Sequence, residues 1–210
     1  MNRIKSFSDV SCLEGDCKQQ LYMVQKLSIT VIGASGDLAR KKTFPTLFEL
    51  YSNNMIPRHA IISGYARSKM ANEEFHALLR KCLEGKGKAE HIDEFISKCV
   101  YFAGQYDSND SFKQLHDRLY DLETSDASEP TQVVANRLFY FAIPPNVFIA
   151  TAGAISSSCR TTRGWNRLIV EKPFGRDLQS ALLMSGQLMK LWREIDVYRI
   201  DHYLGSMIMC

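Results

Sequence analysis

No stretch of this 210-residue sequence approaches the roughly 18 consecutive apolar residues that a bilayer-crossing helix requires. The most apolar run, Leu138 to Ala154, is interrupted by Pro144, Pro145 and Asn146, and reads as a buried strand, a loop and a helix. There is no Cys-x2-Cys pair and no closely spaced His pair, so nothing supports a zinc site. Six scattered cysteines are too few for a disulfide scaffold, and reduced thiols in the cytosol are the expectation. A strong charge of either sign is also missing. The 26 basic and 23 acidic side chains leave +3, and no basic, aromatic-studded stretch marks a nucleic-acid partner. Residues 1–26 lack an apolar secretory core, and Asp9, Glu14 and Asp16 are unlike a transit peptide. They read as an extension ahead of the first strand.

What is present has the balance of a folded chain, with 45% apolar and 23% charged residues, which excludes disorder as the overall class. Short apolar runs alternate with segments of helical spacing. Strands are predicted at residues 27–32, 60–65, 100–103, 137–143, 167–170 and 197–200. Helices are predicted at 38–51, 72–83, 92–97, 109–122 and 178–192, with Pro45 starting or bending the first of them. Residues 123–131 read as a surface linker. Asp177 is placed to cap the last helix, which is expected to pack through Leu178, Leu182, Met189 and Trp192. This alternation predicts a doubly wound, mostly parallel α/β sheet whose strand ends share one edge, where ligands bind.

The strongest local signal is Gly33-Ala34-Ser35-Gly36-Asp37-Leu38-Ala39, directly after the first strand and before a helix. In a dinucleotide fingerprint Gly33 permits the tight turn, Gly36 lets a pyrophosphate approach the backbone, and Ala39 keeps the helix close to the sheet. Unpaired amides at the helix start then receive the phosphate charge. The same glycines could also serve a turn needed only for packing. Asp37 is unsuited to touch phosphate and is better read as a cap or a loop-ordering group. A mononucleotide P-loop, Gly-x4-Gly-Lys followed by Ser or Thr, occurs nowhere. The pairs Tyr22/Lys26 and Tyr65/Lys69 are misplaced for the Tyr-x3-Lys of short-chain reductases.

Coenzyme choice is set after the second strand, where an NAD site usually presents an acidic group. Here the chain reads Gly64-Tyr65-Ala66-Arg67-Ser68-Lys69. A guanidinium can fork onto a 2'-phosphate, which favours NADP, although Arg67 could also be a solvated loop cation. Arg40, Lys41 and Lys42 add positive charge near the first helix. Farther on, Lys172 follows an apolar strand, where it could bind an anionic substrate, orient a hydroxyl, or simply lie on the surface. Asp201 and His202 are adjacent on extended backbone, so their side chains diverge and do not make a direct dyad.

With these blocks in order, the sequence resembles the glucose-6-phosphate dehydrogenase family, in particular its plant cytosolic form. The likeness rests on Gly33 to Ala39, Gly64 to Arg67, Ala142 to Pro145, Val170 to Leu178 and Arg199 to Gly205, and covers about residues 27–205. It implies an NADP-binding Rossmann-like domain over 27–205 and a divergent tail over 206–210. The implied reaction is oxidation of D-glucose 6-phosphate to 6-phospho-D-glucono-1,5-lactone, the first step of the oxidative pentose phosphate pathway. By position, Gly33, Ala34, Ser35, Gly36, Asp37, Leu38 and Ala39 would line the coenzyme and Arg67 its 2'-phosphate. Pro144 and Pro173 would shape the nicotinamide pocket, and Lys172 would touch coenzyme and sugar. His202 and Tyr203 would bind the sugar phosphate, while Asp201 would orient a general-base histidine lying farther along in the family.

Two departures bear on activity. The family follows its last motif with Lys-Glu, where this chain has Ser206-Met207. The base histidine and the family's antiparallel-sheet domain, which carries its main homo-oligomer interface, would fall beyond Cys210. His59, His76, His91 and His116 belong to the first-half helices or their approaches and cannot replace that base. The 210-residue chain alone is therefore expected to be inactive; a noncatalytic NADP-binding or interaction fragment is the alternative.

Overall fold

The computed structural model describes residues 25–172 and 177–201. Six parallel strands form one sheet: β1 (Lys26–Ile32), β2 (Ile61–Ala66), β3 (Cys99–Ala103), β4 (Ala135–Phe141), β5 (Asn166–Glu171) and β6 (Val197–Ile200). Their spatial order is β3-β2-β1-β4-β5-β6. The order reverses between β1 and β4, which pair from Lys26↔Ala135 to Ile32↔Phe141. β1 and β4 are buried almost throughout, as parallel strands covered on both faces must be.

The connecting helices divide between the two faces. α1 (Phe44–Ser52), α2 (Asn72–Leu83) and α3 (Ala89–Ser97) close one core around Phe44, Phe48, Tyr51, Phe75, Leu79 and Phe95. α4 (Asn109–Thr124), α5 (Phe148–Ser158) and α6 (Leu178–Leu191) close the other around Phe112, Leu119, Phe141, Phe148, Ile155 and Trp192. The expected doubly wound architecture is the one observed. No helix of the described residues is long and apolar enough to cross a membrane, and no group of three metal-ligating side chains occurs among them.

Several local expectations shift. The first helical run begins at Asp37, and the five residues Ala39–Thr43 take π-helical form ahead of α1. The cause is Pro45, which has no N–H and whose ring would crowd the carbonyl four residues back. A wider turn relieves that conflict, and the Phe44 N–H donates to the Ala39 carbonyl, five residues back. β4 spans 135–141 rather than 137–143, because Ala135 N–H already donates to Arg163 O (3.0 Å), while Ile143 precedes a Pro-Pro pair.

Residue 123 does not open a linker. Glu123 lies inside α4 and is buried, for reasons given below. Asp177 does cap α6: its Oδ1 accepts from Ser180 N–H at 2.8 Å. The packing expected of that helix holds at Trp192, which is buried, and at Met189, which packs partly against the core, but not at Leu178 and Leu182, which are 76% and 64% exposed; Leu188 is buried instead, and Met184 and Leu191 also pack against the core. Two faces of α6 carry apolar residues, so periodicity alone could not choose between them.

Candidate functional site

Because all six strands are parallel, the residues that follow them gather on one edge. The turn after β1 runs toward α1 on one face and the turn after β4 toward α5 on the other, which opens a crevice between them. Gly33, Ala34, Ser35 and Gly36 form the first of these turns. Gly33 has φ +92°, and a Cβ there would meet Ala142 O at 2.3 Å. The Gly33 and Ala34 N–H groups donate to Tyr65 O (2.7 and 3.2 Å), and Ala142 N–H donates to Ile32 O (2.8 Å). The turn is thus held between the ends of β2 and β4 with no room for a side chain. Ala39 is fully buried under it, as close helix–sheet packing demands, and Leu38 is half-buried.

Asp37 stands exposed at the helix start and faces back along its own helix. Its Oδ1 pairs with Arg40, and its Oδ2 lies 3.2 Å from Lys41 Nζ. Lys41 and then Arg40 hold its carboxyl below the ordinary value, so it stays anionic. Two of the cations near the helix opening are thereby partly neutralised within one turn.

Arg67 is the first residue past β2 and is exposed. Its guanidinium lies 5.3 Å from the centroid of the Tyr106 ring. Burial pushes the Tyr106 phenol up, against the lowering effect of Arg67. Next to it, Ser68 Oγ is 3.3 Å from Ser35 Oγ, a direct link between the β2 end and the glycine turn. A planar cation supported by an aromatic ring can present its fork to an anion above that turn.

On the other side of the crevice, Pro144 leaves β4 exposed, and Lys172 and Asp201 follow the neighbouring strands β5 and β6. Lys172 N–H donates to Ile200 O (3.1 Å), which fixes the backbone of the two ends together. The Lys172 ammonium lies 3.2 Å from Asp201 Oδ2. Just before Lys172, the carboxylate of Glu171 is buried and accepts the Tyr140 hydroxyl from β4. Burial, and then the Glu171 bond, push the Tyr140 phenol far up, so it remains a donor. Pro173, His202 and Tyr203 lie outside the described residues.

The structure also contains a polar cluster that the sequence reading missed. Arg137 of β4 is 1% exposed at its side chain and Glu123 is 2% exposed, with Arg137 Nη2 2.8 Å from Glu123 Oε2. Ser28 Oγ donates to Glu123 Oε1 (2.7 Å), and Arg137 Nη1 donates to His116 Nδ1 (2.9 Å) and Cys159 O (3.0 Å). His116 accepts through Nδ1, since a guanidinium only donates. An arginine at the head of the apolar run Leu138 to Phe141 was the available signal, because a buried charge requires a partner. The cluster joins the starts of β1 and β4, away from the crevice. His59 and His76 are likewise tied to backbone near strand starts, at Gln25 O (2.9 Å) and Cys99 O (2.7 Å).

A family model for the NAD-binding domain of glucose-6-phosphate dehydrogenase matches residues 30–209. The chain is 43% identical over 204 residues to the chloroplastic glucose-6-phosphate 1-dehydrogenase 3 of Arabidopsis thaliana, covering 95% of this chain and 32% of that protein. It is 43% identical over 180 residues to glucose-6-phosphate 1-dehydrogenase of Emericella nidulans, covering 85% of this chain and 34% of that one. A solved structure of glucose-6-phosphate dehydrogenase in complex with its substrate glucose-6-phosphate superposes with a TM-score of 0.79 at 40% identity, over 86% of this chain and 37% of the other. The Mycobacterium avium structure, at 24% identity and a TM-score of 0.71, shows the shared fold. The chain spans about a third of the length of the relatives it matches.

Proposed function

Because the chain belongs to the glucose-6-phosphate dehydrogenase family and matches its coenzyme-binding domain, whose coenzyme is NADP, we propose that the β1–β4 crevice is its NADP site. The supporting observation is the Gly33 turn, held by the bonds of Gly33 and Ala34 N–H to Tyr65 O and packed against Ala142, which sets the glycine loop between β1 and the helical run that opens at Asp37. Gly33 to Ala39 hold the pyrophosphate, and Arg67, steadied by Tyr106, takes the 2'-phosphate. Pro144 and Pro173 border the nicotinamide. When bound, NADP+ supplies the hydride acceptor.

The reaction proposed for the whole protein is oxidation of D-glucose 6-phosphate at C1 to 6-phospho-D-glucono-1,5-lactone. Lys172 contributes a cation that holds the reacting sugar, and its hydrogen-bonded strand end limits where that cation can go. His202 and Tyr203 bind the sugar phosphate. Asp201 orients the base in the whole protein; here its carboxylate pairs with Lys172, which makes exchange of that partner part of the proposal. Residues 1–210 alone are proposed to bind NADP+ without appreciable turnover. Proton transfer by a positioned base is typically worth about 10²- to 10⁴-fold, and His59, His76 and His116 are bonded to Gln25 O, Cys99 O and Arg137, at the strand starts rather than at this edge. A reducing compartment such as the plant cytosol suits the free thiols of Cys82, Cys99 and Cys159.

The test is calorimetric titration of purified residues 1–210 with NADP+, beside Gly33→Ala with its melt checked. Binding by the first and loss by a folded second are expected. NADPH absorbance with saturating glucose 6-phosphate is read in parallel. Robust turnover that follows the purified chain and vanishes in Lys172→Ala would overturn the claim of inactivity.

A further inference from the structure

The buried pair of Glu123 and Arg137 lines a cleft of ≈ 230 Å³ at the strand-start edge, between α4, the 130–133 turn and the loop that follows α5. That volume is below the ≈ 300–1,000 Å³ usual for drug-sized ligands, so the cleft suits a small metabolite rather than a coenzyme. From Arg137, β4 runs roughly 13 Å to Phe141, at about 3.3 Å per residue, before the chain reaches the glycine turn. The cleft and the coenzyme crevice are therefore separate. One wall of the cleft is fixed in advance. Gly164 has φ +126°, and a Cβ there would collide with Ala135 O. Trp165 N–H donates to Asn136 Oδ1 (3.0 Å), Thr161 N–H to Asn166 Oδ1 (2.8 Å), and Asn166 Nδ2 to Thr161 O (2.9 Å). The backbone of Thr162 and Arg163 is thus held between anchored neighbours, which lowers the ordering cost of binding.

The groups lining this cleft are donors in excess. Glu123 is its one carboxylate, and both oxygens already accept, from Ser28 and Arg137. Arg137 also fixes the neighbouring imidazole: His116 Nδ1 accepts from it, so the ring proton sits on Nε2. A buried ion pair is not required for stability, since apolar replacements often serve as well; this one sets the tautomer of a histidine in the cleft wall. Among the described residues no acceptor takes the Nε2 proton, and none takes the guanidinium protons of Arg163. The hydroxyls of Thr131 and Thr162 have no protein partner there either. These donors come from three elements. Approach from several directions suits a tetrahedral oxyanion, whereas a carboxylate is served by a single planar fork.

We propose that this cleft binds a small phosphate monoester, whose oxygens accept from His116 Nε2–H, the Arg163 guanidinium and the Thr131 and Thr162 hydroxyls. The coenzyme crevice is not involved, so this inference stands apart from the NADP reading.

NMR titration of the isotope-labelled 210-residue chain with glycerol 3-phosphate tests it, with saturating NADP+ present to occupy the crevice. Saturable shifts are expected at the His116 ring and at the amides of Thr131, Thr162 and Arg163. Arg163→Ala should weaken binding roughly 10-fold, because it removes a charge-assisted bond. Thr162→Trp fills the cleft and should abolish binding. Both positions are exposed, so the melting midpoint should not move in either variant. Succinate should bind at least ~10-fold more weakly than the phosphate monoester. Shifts at the cleft that never saturate overturn the proposal. So does saturable binding indifferent to Arg163→Ala or to Thr162→Trp, and so does succinate binding of equal strength. Saturable shifts confined to Gly33–Gly36 or Lys172 also overturn it, and assign the phosphate to the crevice instead. Should NADP+ itself fail to bind, the coenzyme reading falls, while the same titration without it still decides the cleft.

Discussion

Replacing Arg67 by alanine separates the 2'-phosphate reading from a merely basic loop. The residue is exposed, stacks at 5.3 Å on Tyr106, and stands one residue from the Ser68–Ser35 link to the glycine turn. Charge-assisted hydrogen bonds contribute about 1.5–3 kcal/mol each when well formed, and solvent exposure keeps this pair near the lower end. NADP+ should therefore bind roughly 10- to 100-fold more weakly to Arg67→Ala, while NAD+, which lacks the phosphate, changes by less than about 3-fold. Losing the stack on Tyr106 removes about 0.5–1 kcal/mol, a fall of about 1–4 °C in melting midpoint for a domain of this size. The variant consequently stays folded at the temperature of the titration. Arg67→Lys keeps the charge but not the fork and should fall between the two. Calorimetry with both coenzymes at two ionic strengths reads the effect, which must shrink at high salt. Equal losses for NADP+ and NAD+ would refute the reasoning, since only a contact to the 2'-phosphate distinguishes them.

Other perturbations address the scaffold. Glu123→Gln leaves the Arg137 charge buried without its anion and should cost about 3–5 kcal/mol in urea unfolding, whereas replacing both partners by apolar residues should cost far less. His116 is held below the ordinary imidazole value of 6.5, by burial first and then by Arg137. The unfolded chain then binds the proton more readily, so this contribution is complete above about pH 6.5 and declines as pH falls toward the folded-state value. Denaturation at pH 8 and pH 5.5 should show that slope, and His116→Gln should flatten it. Burial pushes the Cys159 thiol up to about 12 and the Cys99 thiol higher still. Native alkylation followed by peptide mass spectrometry should spare both; rapid labelling of either would contradict its packing.

Local physics explains what could be read early. Gly33, Gly36 and Ala39 are constrained by the turn they make, Asp177 by the amides one turn ahead, and β1 and β4 by short runs rich in apolar residues. Each of those decisions involves residues a few positions apart, so composition and spacing carry them. Parallel pairing then follows from the intervening helices, and with it the shared edge on which Arg67, Lys172 and Asp201 stand. Pro45 also announced itself, although a π-helical turn rather than a break resolves its missing N–H.

The sequence by itself determined that a strand, a bare glycine turn and a helix would build an anion-ready end on a parallel sheet, because backbone sterics and periodicity act over short separations. Only the tertiary structure decided which long-range partners met. It buried Glu123 with Arg137 and with Ser28, 95 positions away, paired Lys172 with Asp201 across 29, and turned Leu178 and Leu182 outward. A charge is tolerated inside the sheet only when another element delivers its counter-charge, and a two-sided apolar helix acquires its inner face only when the sheet beneath selects one.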